Sequence, residues 1–336
     1  MTGSTAAVPA DARLGVDIGG TKTEAVLLDG GGTIVRQIRI PTGFGPDGVV
    51  ASTLDAISRL EAPGVPIGIG TPGTVDPVAG TVSHALNLGV ERLELGQRVA
   101  DAVGYGVRVE NDVNAAALGA FHLLGRPGTD SIGYLNLGTG LAAGLVLDGR
   151  LWRGSRGAAG EIGHILVDPK GPLDLDGQPG GLEVMASGSG IARQWGTGEP
   201  NAVSAVLDAA DAGDRRAVDI RRRLFDGIAS AVRILVLTVD VDAVVVGGGI
   251  SRLGERIVDG VGEVFDGWAA SSPFIASLEL RERMMLLPGD APVAALGAAW
   301  IGEPAARDLP RSAVPRDDEE HFGATQRPDA EAGVNG

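Results

Sequence analysis

Apolar residues fall in short runs that end on glycine, and this punctuation recurs along the chain. The run at 14–18 stops at Gly19-Gly20-Thr21-Lys22, a second follows at 24–28, and Asp29-Gly30-Gly31-Gly32 leads into a third at 33–40. Runs joined by tight glycine turns predict a β-meander. The spacing of Val50, Leu54 and Ile57 predicts a helix over 47–60. Buried strands are expected at 66–70, before Thr71-Pro72-Gly73, and at 107–109, before Glu110-Asn111-Asp112.

The pattern then starts again. A helix at 113–124, with Ala116, Ala117, Ala120 and Phe121 on its apolar face, precedes a strand at 130–137 that enters Gly138-Thr139-Gly140. A strand at 141–147 follows, so the strand–Gly–Thr junction at Asp17 recurs at Asn136, 119 positions on. This reads as one architecture used twice. Helices are predicted over 182–195, 202–209 and 215–237, the last with Leu224, Ile228, Val232 and Leu235 in register. A strand at 243–246 runs into Gly247-Gly248-Gly249, and helices at 253–268 and 291–301 close the pattern. Residues 1–12 read as a loose leader, and the charged stretch 303–336 as a disordered tail.

Composition narrows the function classes. The 336 residues suffice for two cores, and 44% hydrophobic with 21% charged residues is ordinary for a folded protein. A net charge of -15 argues against nucleic acid as a partner, and an anionic substrate would need local donors and a metal. The absence of cysteine removes disulfides, thiolate nucleophiles and cysteine-held zinc. The start of the chain lacks the basic and apolar regions of a secretory signal, and Asp240 and Asp242 interrupt the most apolar run. The expectation is a cytoplasmic protein without a membrane partner.

The stretch from Gly154 to Glu183 gathers Glu161, His164 and Glu183 among many glycines, which suits either a solvated loop or a pocket for a polyhydroxylated ligand. In Asp17-Ile-Gly-Gly-Thr-Lys22 the backbone of Gly19 and Gly20 can approach phosphate oxygens, Thr21 adds a hydroxyl, and Asp17 can hold magnesium through water. The competing reading is a tight hairpin. Gly138, Thr139 and Gly140 could grip the same phosphates from the other side, and Gly247, Gly248 and Gly249 offer either a surface for adenosine or close helix–strand packing. Asp112, between strand and helix, reads as an N-cap or as a positioned base. Its neighbour Asn111 and the downstream carboxylates favour the second, because carboxylates and amides bind vicinal hydroxyls. His84 and His122 read as surface or packing residues.

Together these motifs, with Thr71-Pro-Gly73, Glu110-Asn-Asp-Val-Asn-Ala-Ala-Ala117, Gly160-Glu-Ile-Gly-His164 and Gly247-Gly-Gly-Ile250, resemble the ROK family of sugar kinases and sugar-responsive regulators over residues 13–302. The resemblance implies an α/β, actin/hexokinase-like (ribonuclease H-like) duplicated fold with two domains around a cleft. These would be 13–115, completed by the closing helix 291–302, and 116–290. It further implies a glucokinase-like kinase that transfers the γ-phosphate of Mg-ATP to the 6-hydroxyl of a hexose. Asp112 would be the base, with Gly73, Asn111, Glu161, His164 and Glu183 around the sugar. The two Gly-Thr loops would hold the phosphates and the triple glycine the adenosine. A homodimer or homotetramer is implied by the same analogy.

The alternatives are an amino-sugar kinase, a sugar-sensing regulator and a non-catalytic sugar binder. Only thirteen residues precede Leu14, too few for a DNA-binding helical module, and the intact Asp112 and phosphate loops speak against a silent binder. One departure stands out. The family pattern His-x9-Cys-x-Cys-x4-Cys-x-Glu, whose histidine and cysteines hold a structural zinc, keeps its length here, but its cysteine positions are Asp174, Asp176 and Gly181. No structural zinc is expected, which leaves open what orients His164 and Glu183.

Overall fold

The computed structural model describes residues 8–125, 128–198, 201–287 and 291–302. Strands β1 (Arg13–Ile18), β2 (Lys22–Leu28) and β3 (Ile34–Pro41) form the antiparallel meander, followed by helix α1 (Gly45–Arg59) and strand β4 (Ile67–Thr71). A small antiparallel sheet of β5 (Thr74–Asp76), β6 (Thr81–Ala85) and β7 (Val90–Leu93) comes next. Then come α2 (Leu95–Val103), β8 (Val107–Asn111) and α3 (Asp112–Leu124). The small sheet and α2 escape the sequence pattern because their runs are short and half-exposed.

The second half opens with β9 (Ile132–Leu137), β10 (Leu141–Leu147) and β11 (Arg150–Trp152). The expected helix at 182–195 is two helices, α4 (Leu182–Ala186) and α5 (Gly188–Trp195). Between them Ser187 is extended and its hydroxyl accepts from the Gly190 amide, so it caps the second helix and ends the first. Next come α6 (Ala202–Asp211), α7 (Arg215–Val239), β12 (Ala243–Gly247) and α8 (Glu255–Ser271). Short helices α9 (Pro273–Ala276) and α10 (Leu280–Arg283), strand β13 (Met284–Leu286) and α11 (Val293–Gly302) complete the fold. The tail proposed for 303–336 and the leader up to residue 7 lie outside the described residues.

The two large sheets have the same plan. Their orders are β3-β2-β1-β4-β8 and β11-β10-β9-β12-β13, each a meander whose first strand pairs in parallel with the next, which pairs in parallel with the last. The repeat at Asp17 and Asn136 is therefore real in three dimensions: this is the duplicated actin/hexokinase-like fold. Leu14, Val16, Ile67 and Ile69 anchor one core, and Leu135, Leu137, Val244 and Val246 another. Helix α11 packs on β1, β4 and α3. It comes so close that a Cβ on Gly15, Gly68 or Gly119 would collide with carbonyls of Ala295, Ala298 and Val293. Among the described residues no helix is long and apolar enough to cross a membrane.

Candidate active site

Parallel pairing sets the site. Asp17 lies opposite Gly70, and Thr71 opposite Asn111, so the ends of β1, β4 and β8 bring Asp17, Gly73 and Asn111-Asp112 to one sheet edge. Gly70 lets α3 start close to β4, since a Cβ there would sit 3.2 Å from the Ala115 Cβ. Asn111 is the N-cap of α3. Its Oδ1 accepts from the amides of Val113 at 2.9 Å and Asn114 at 3.2 Å, and its Nδ2 donates to the Gly73 carbonyl at 3.3 Å. With the cap taken, Asp112 is the first helical residue, and its Oδ1 accepts from the Val113 amide at 3.0 Å.

Three carboxylates share this floor. Burial, reinforced by the charges of Asp112 and Glu24 and opposed by Lys22, pushes Asp17 up to about 7. Burial also raises Asp112, with the Glu161 charge adding to it and backbone hydrogen bonds opposing it. Glu24, 4% exposed, behaves differently. Burial raises it, but hydrogen bonds from Arg39 (2.6 Å) and Gln37 (2.6 Å), with the Lys22 charge, outweigh that and hold it below its ordinary value. The Lys22 ammonium stands 3.5 Å from the Glu24 carboxylate and 45% exposed, so it faces the cleft.

Three cavities meet here. The first, about 250 Å³, is lined by Asp17, Lys22, Asp112, Tyr134, Asn136 and Gly249. Asn136 holds in β9 the place that Asp17 holds in β1. The second, about 750 Å³, is lined by Gly138, Thr139, Ser189, Gly249 and Arg252. The third, about 840 Å³, includes Gly73, Asn111, Glu161, Thr74, Ser83 and Arg153. Val113 lies in the wall of the first and third, and Gly249 and Arg252 in that of the first and second.

The glycine loops divide their labour. Of the first loop, Lys22 reaches the cleft, while Gly19, Gly20 and Thr21 line none of the three cavities, and Asn87 stands beside Gly20. Gly138 and Thr139 face the second cavity, and their carbonyls accept from the amides of Gly188 (2.8 Å) and Ser189 (3.0 Å), which seats α5 on the loop. Gly140 abuts the Glu183 carboxylate. In the triple glycine the close-packing reading holds at two of the three residues. A Cβ on Gly247 would strike the Tyr134 ring, and Gly248, at φ +86°, lies against the Leu137 carbonyl. Gly249 has open space beside it.

The sugar-side candidates separate as well. Glu161 is exposed and lines the third cavity with Gly73 and Asn111. His164 is exposed on a short 3₁₀ turn, Ile162–His164, and its ring makes no hydrogen bond among the described residues. Glu183 is half-buried and its Oε2 accepts from the Leu141 amide at 3.0 Å. Neither His164 nor Glu183 lines the third cavity. Elsewhere, His84 is exposed and pairs with Glu91 at 3.0 Å, and His122 stacks on Trp300 at 3.8 Å.

Four residues are added by the structure. Glu110, 2% exposed, accepts from Asn111 N (2.9 Å), Asn114 Nδ2 (3.0 Å) and Arg153 Nε (2.6 Å), tying β8 to the loop that carries Glu161. Glu24, Tyr134 and Arg252 complete the cleft. A charge inside an apolar strand was the available signal for Glu24 and Glu110. Arg252 and Tyr134 had none, since only the tertiary fold brings them to the cleft.

The frame over 164–183 does not fit the zinc that the family pattern implies. Gly181 offers no donor, Asp174 Oδ1 is committed to backbone amides, and no group of three metal-ligating side chains stands together among the described residues.

A duplicated sheet pair with carboxylates and glycine turns at its strand ends defines the class of actin/hexokinase-like phosphotransferases. Within it the chain belongs to the ROK family, whose profile matches residues 13–302. It is 31% identical over 314 residues to the glucokinase of Halalkalibacterium halodurans, covering 86% of this chain and 94% of that one. It is 31% identical over 241 residues to the N-acetylmannosamine kinase of Citrobacter koseri, covering 70% and 83%. A ROK family glucokinase from Streptomyces griseus, solved in complex with glucose and AMPPNP, superposes with a TM-score of 0.67 at 33% identity, covering 86% of this chain and 98% of that one.

Proposed function

We propose that this ROK sugar kinase transfers the γ-phosphate of ATP to the 6-hydroxyl of a hexose, with glucose as the first candidate. The observation that carries this reading is the place of Asp112, on the floor of the cavity with Lys22 and Gly249 and next to Val113, which also walls the cavity of Asn111 and Glu161. A base at such a junction can touch an acceptor on one side and a phosphoryl donor on the other.

The hexose occupies the third cavity, where Glu161 accepts from its hydroxyls and Asn111 and Gly73 line the wall. His164 and Glu183 do not line this cavity as it stands and would join the sugar side on domain closure. The nucleotide lies over Gly249, between Gly138-Thr139 and Arg252, with its phosphates towards Lys22 and the Gly19–Thr21 turn. Asp112 accepts the proton of the 6-hydroxyl as that oxygen bonds to the γ-phosphorus. The bond from phosphorus to the bridging oxygen breaks, and ADP leaves. Burial raises the affinity of Asp112 for that proton. Magnesium that arrives with ATP fits this floor, where Asp17 would hold it and the ion would neutralise phosphate charge. We read 13–115 with the closing helix, and 116–290, as two domains whose closure excludes water and limits ATP hydrolysis.

A second reading, phosphorylation of an N-acylhexosamine, is supported by the likeness to an N-acetylmannosamine kinase, and the third cavity has room for the acyl group. Its extension past Asn111 and Glu161 to Thr74, Ser83 and Arg156 exceeds what one hexose fills. ADP release measured over a panel of hexoses and aminohexoses tests both. Turnover with glucose carries the first, preference for an N-acyl sugar carries the second, and sugar-independent ADP release overturns both.

A further inference from the structure

The segment 165–182 joins His164 directly to Glu183, so its shape fixes where those two residues stand. It folds back on itself as an irregular hairpin. The Leu182 amide donates to the Ile165 carbonyl (3.0 Å), Val167 to Gly180 (2.9 Å), Gly180 to Pro172 (2.8 Å) and Asp174 to Gln178 (2.9 Å). Leu166 bridges to Gly181 and Leu173 to Pro179. At the tip, Asp174 Oδ1 accepts from the amides of Asp176 (2.9 Å) and Gln178 (2.8 Å). Such charge-assisted bonds are roughly twice as strong as neutral ones. Gly180, at φ +65°, lets the return strand lie on the Asp168 carbonyl, where any side chain would collide. Positions 174 and 181 still face each other across the hairpin, since a Cβ on Gly181 would stand 3.9 Å from Asp174 Oδ2.

We infer that Asp174 is a positioning residue that does by hydrogen bonding what the family pattern assigns to a metal: it closes the hairpin tip and thereby sets the spacing of His164 and Glu183. One acceptor oxygen suffices for this, so an amide can replace the acid at 174. Asp176 is dispensable, because its carboxylate makes no hydrogen bond among the described residues. The effect on sugar binding rests on the kinase reading, whereas the hairpin itself does not.

The test uses the full-length chain and three variants, Asp174→Ala, Asp174→Asn and Asp176→Ala, in two independent measurements. In the first, wild type exposed to zinc and dialysed is assayed for metal, and amide hydrogen exchange is followed over 165–182. The expected results are no stoichiometric zinc and, in Asp174→Ala only, exchange of the Asp176 and Gln178 amides faster by about tenfold. In the second, Asp174→Ala raises the hexose KM by about tenfold, and Asp174→Asn restores it. Stoichiometric zinc in wild type, unchanged exchange in Asp174→Ala, or equal loss in Asp174→Asn and Asp176→Ala overturns the inference. A wild-type chain that phosphorylates no sugar defeats the kinase reading, and the metal and exchange results then decide the hairpin alone.

Discussion

Glu183 Oε2 accepts a hydrogen bond from the Leu141 amide at 3.0 Å, so a residue expected at the sugar is tied to the loop expected at the nucleotide. The carboxylate sits at the start of α4, and Gly140 gives it room. One oxygen therefore fixes the end of the 138–140 turn and the other stays available. Because a carboxamide oxygen can make the same bond, Glu183→Gln is expected to keep the ATP KM within about twofold, whereas Glu183→Ala raises it by about tenfold. Initial-rate kinetics with ATP varied at saturating sugar check this. Equal effects in both variants would place the charge, and not the hydrogen bond, at the centre of the role.

Asp112→Asn removes the proton acceptor and keeps the shape. The cap of α3 belongs to Asn111, so the helix start survives. A fall in kcat of about a thousandfold, with sugar affinity by calorimetry within about threefold, is expected from the loss of general-base catalysis. A variant that retains a tenth of the rate would remove Asp112 from the base role.

Asp17 links activity to stability. In the unfolded chain its carboxyl ionises near 3.8, in the folded chain only at about 7. Between these values the folded state holds the extra proton, so the stability it confers is present below pH 4 and is lost as pH rises to 7. Asp17→Asn is therefore expected to melt higher than wild type at pH 8, by about 2 °C or more, with the gap closing towards pH 4. Its ATP-dependent turnover is expected to be lost at both ends of that range. Melting curves of the two proteins against pH measure it, and a gap that grows on acidification contradicts the assignment.

Much of this is legible in the amino-acid sequence. The meander and its second use at Asn136 follow from short apolar runs ending on glycine, and the carboxylate after β8 from a run that ends on Glu110-Asn111. The fine structure of the site is not. That Asn111 and not Asp112 caps α3 depends on side-chain rotamers, and the break at Ser187 depends on a hydroxyl turning to its own helix. The Glu110–Arg153 bond joins residues 43 apart and follows from how the two halves pack. The family resemblance implies a sugar-side role for Glu183, but its bond to Leu141 requires α4 to lie against β10.

The two glycines Gly248 and Gly249 are adjacent in sequence and opposite in role, which makes them a controlled pair. Gly248 takes φ +86° and a Cβ there would meet the Leu137 carbonyl and the Asn136 side chain. Alanine at 248 must adopt an unfavourable backbone conformation and push β12 from β9, at a cost of about 1–3 kcal/mol. Gly249 has ordinary φ and nothing within 4 Å, yet it lines both the first and the second cavity. Alanine at 249 should leave the melting temperature within about 1 °C of wild type, since exposed substitutions without strain are near neutral. The added methyl instead occupies space assigned to the nucleotide, so the ATP KM should rise by about fivefold or more while the sugar KM holds. Thermal melts and two-substrate kinetics on Gly248→Ala and Gly249→Ala separate these effects. If Gly249→Ala binds ATP as well as wild type, the nucleotide does not lie over the triple glycine, and the second cavity must be reassigned.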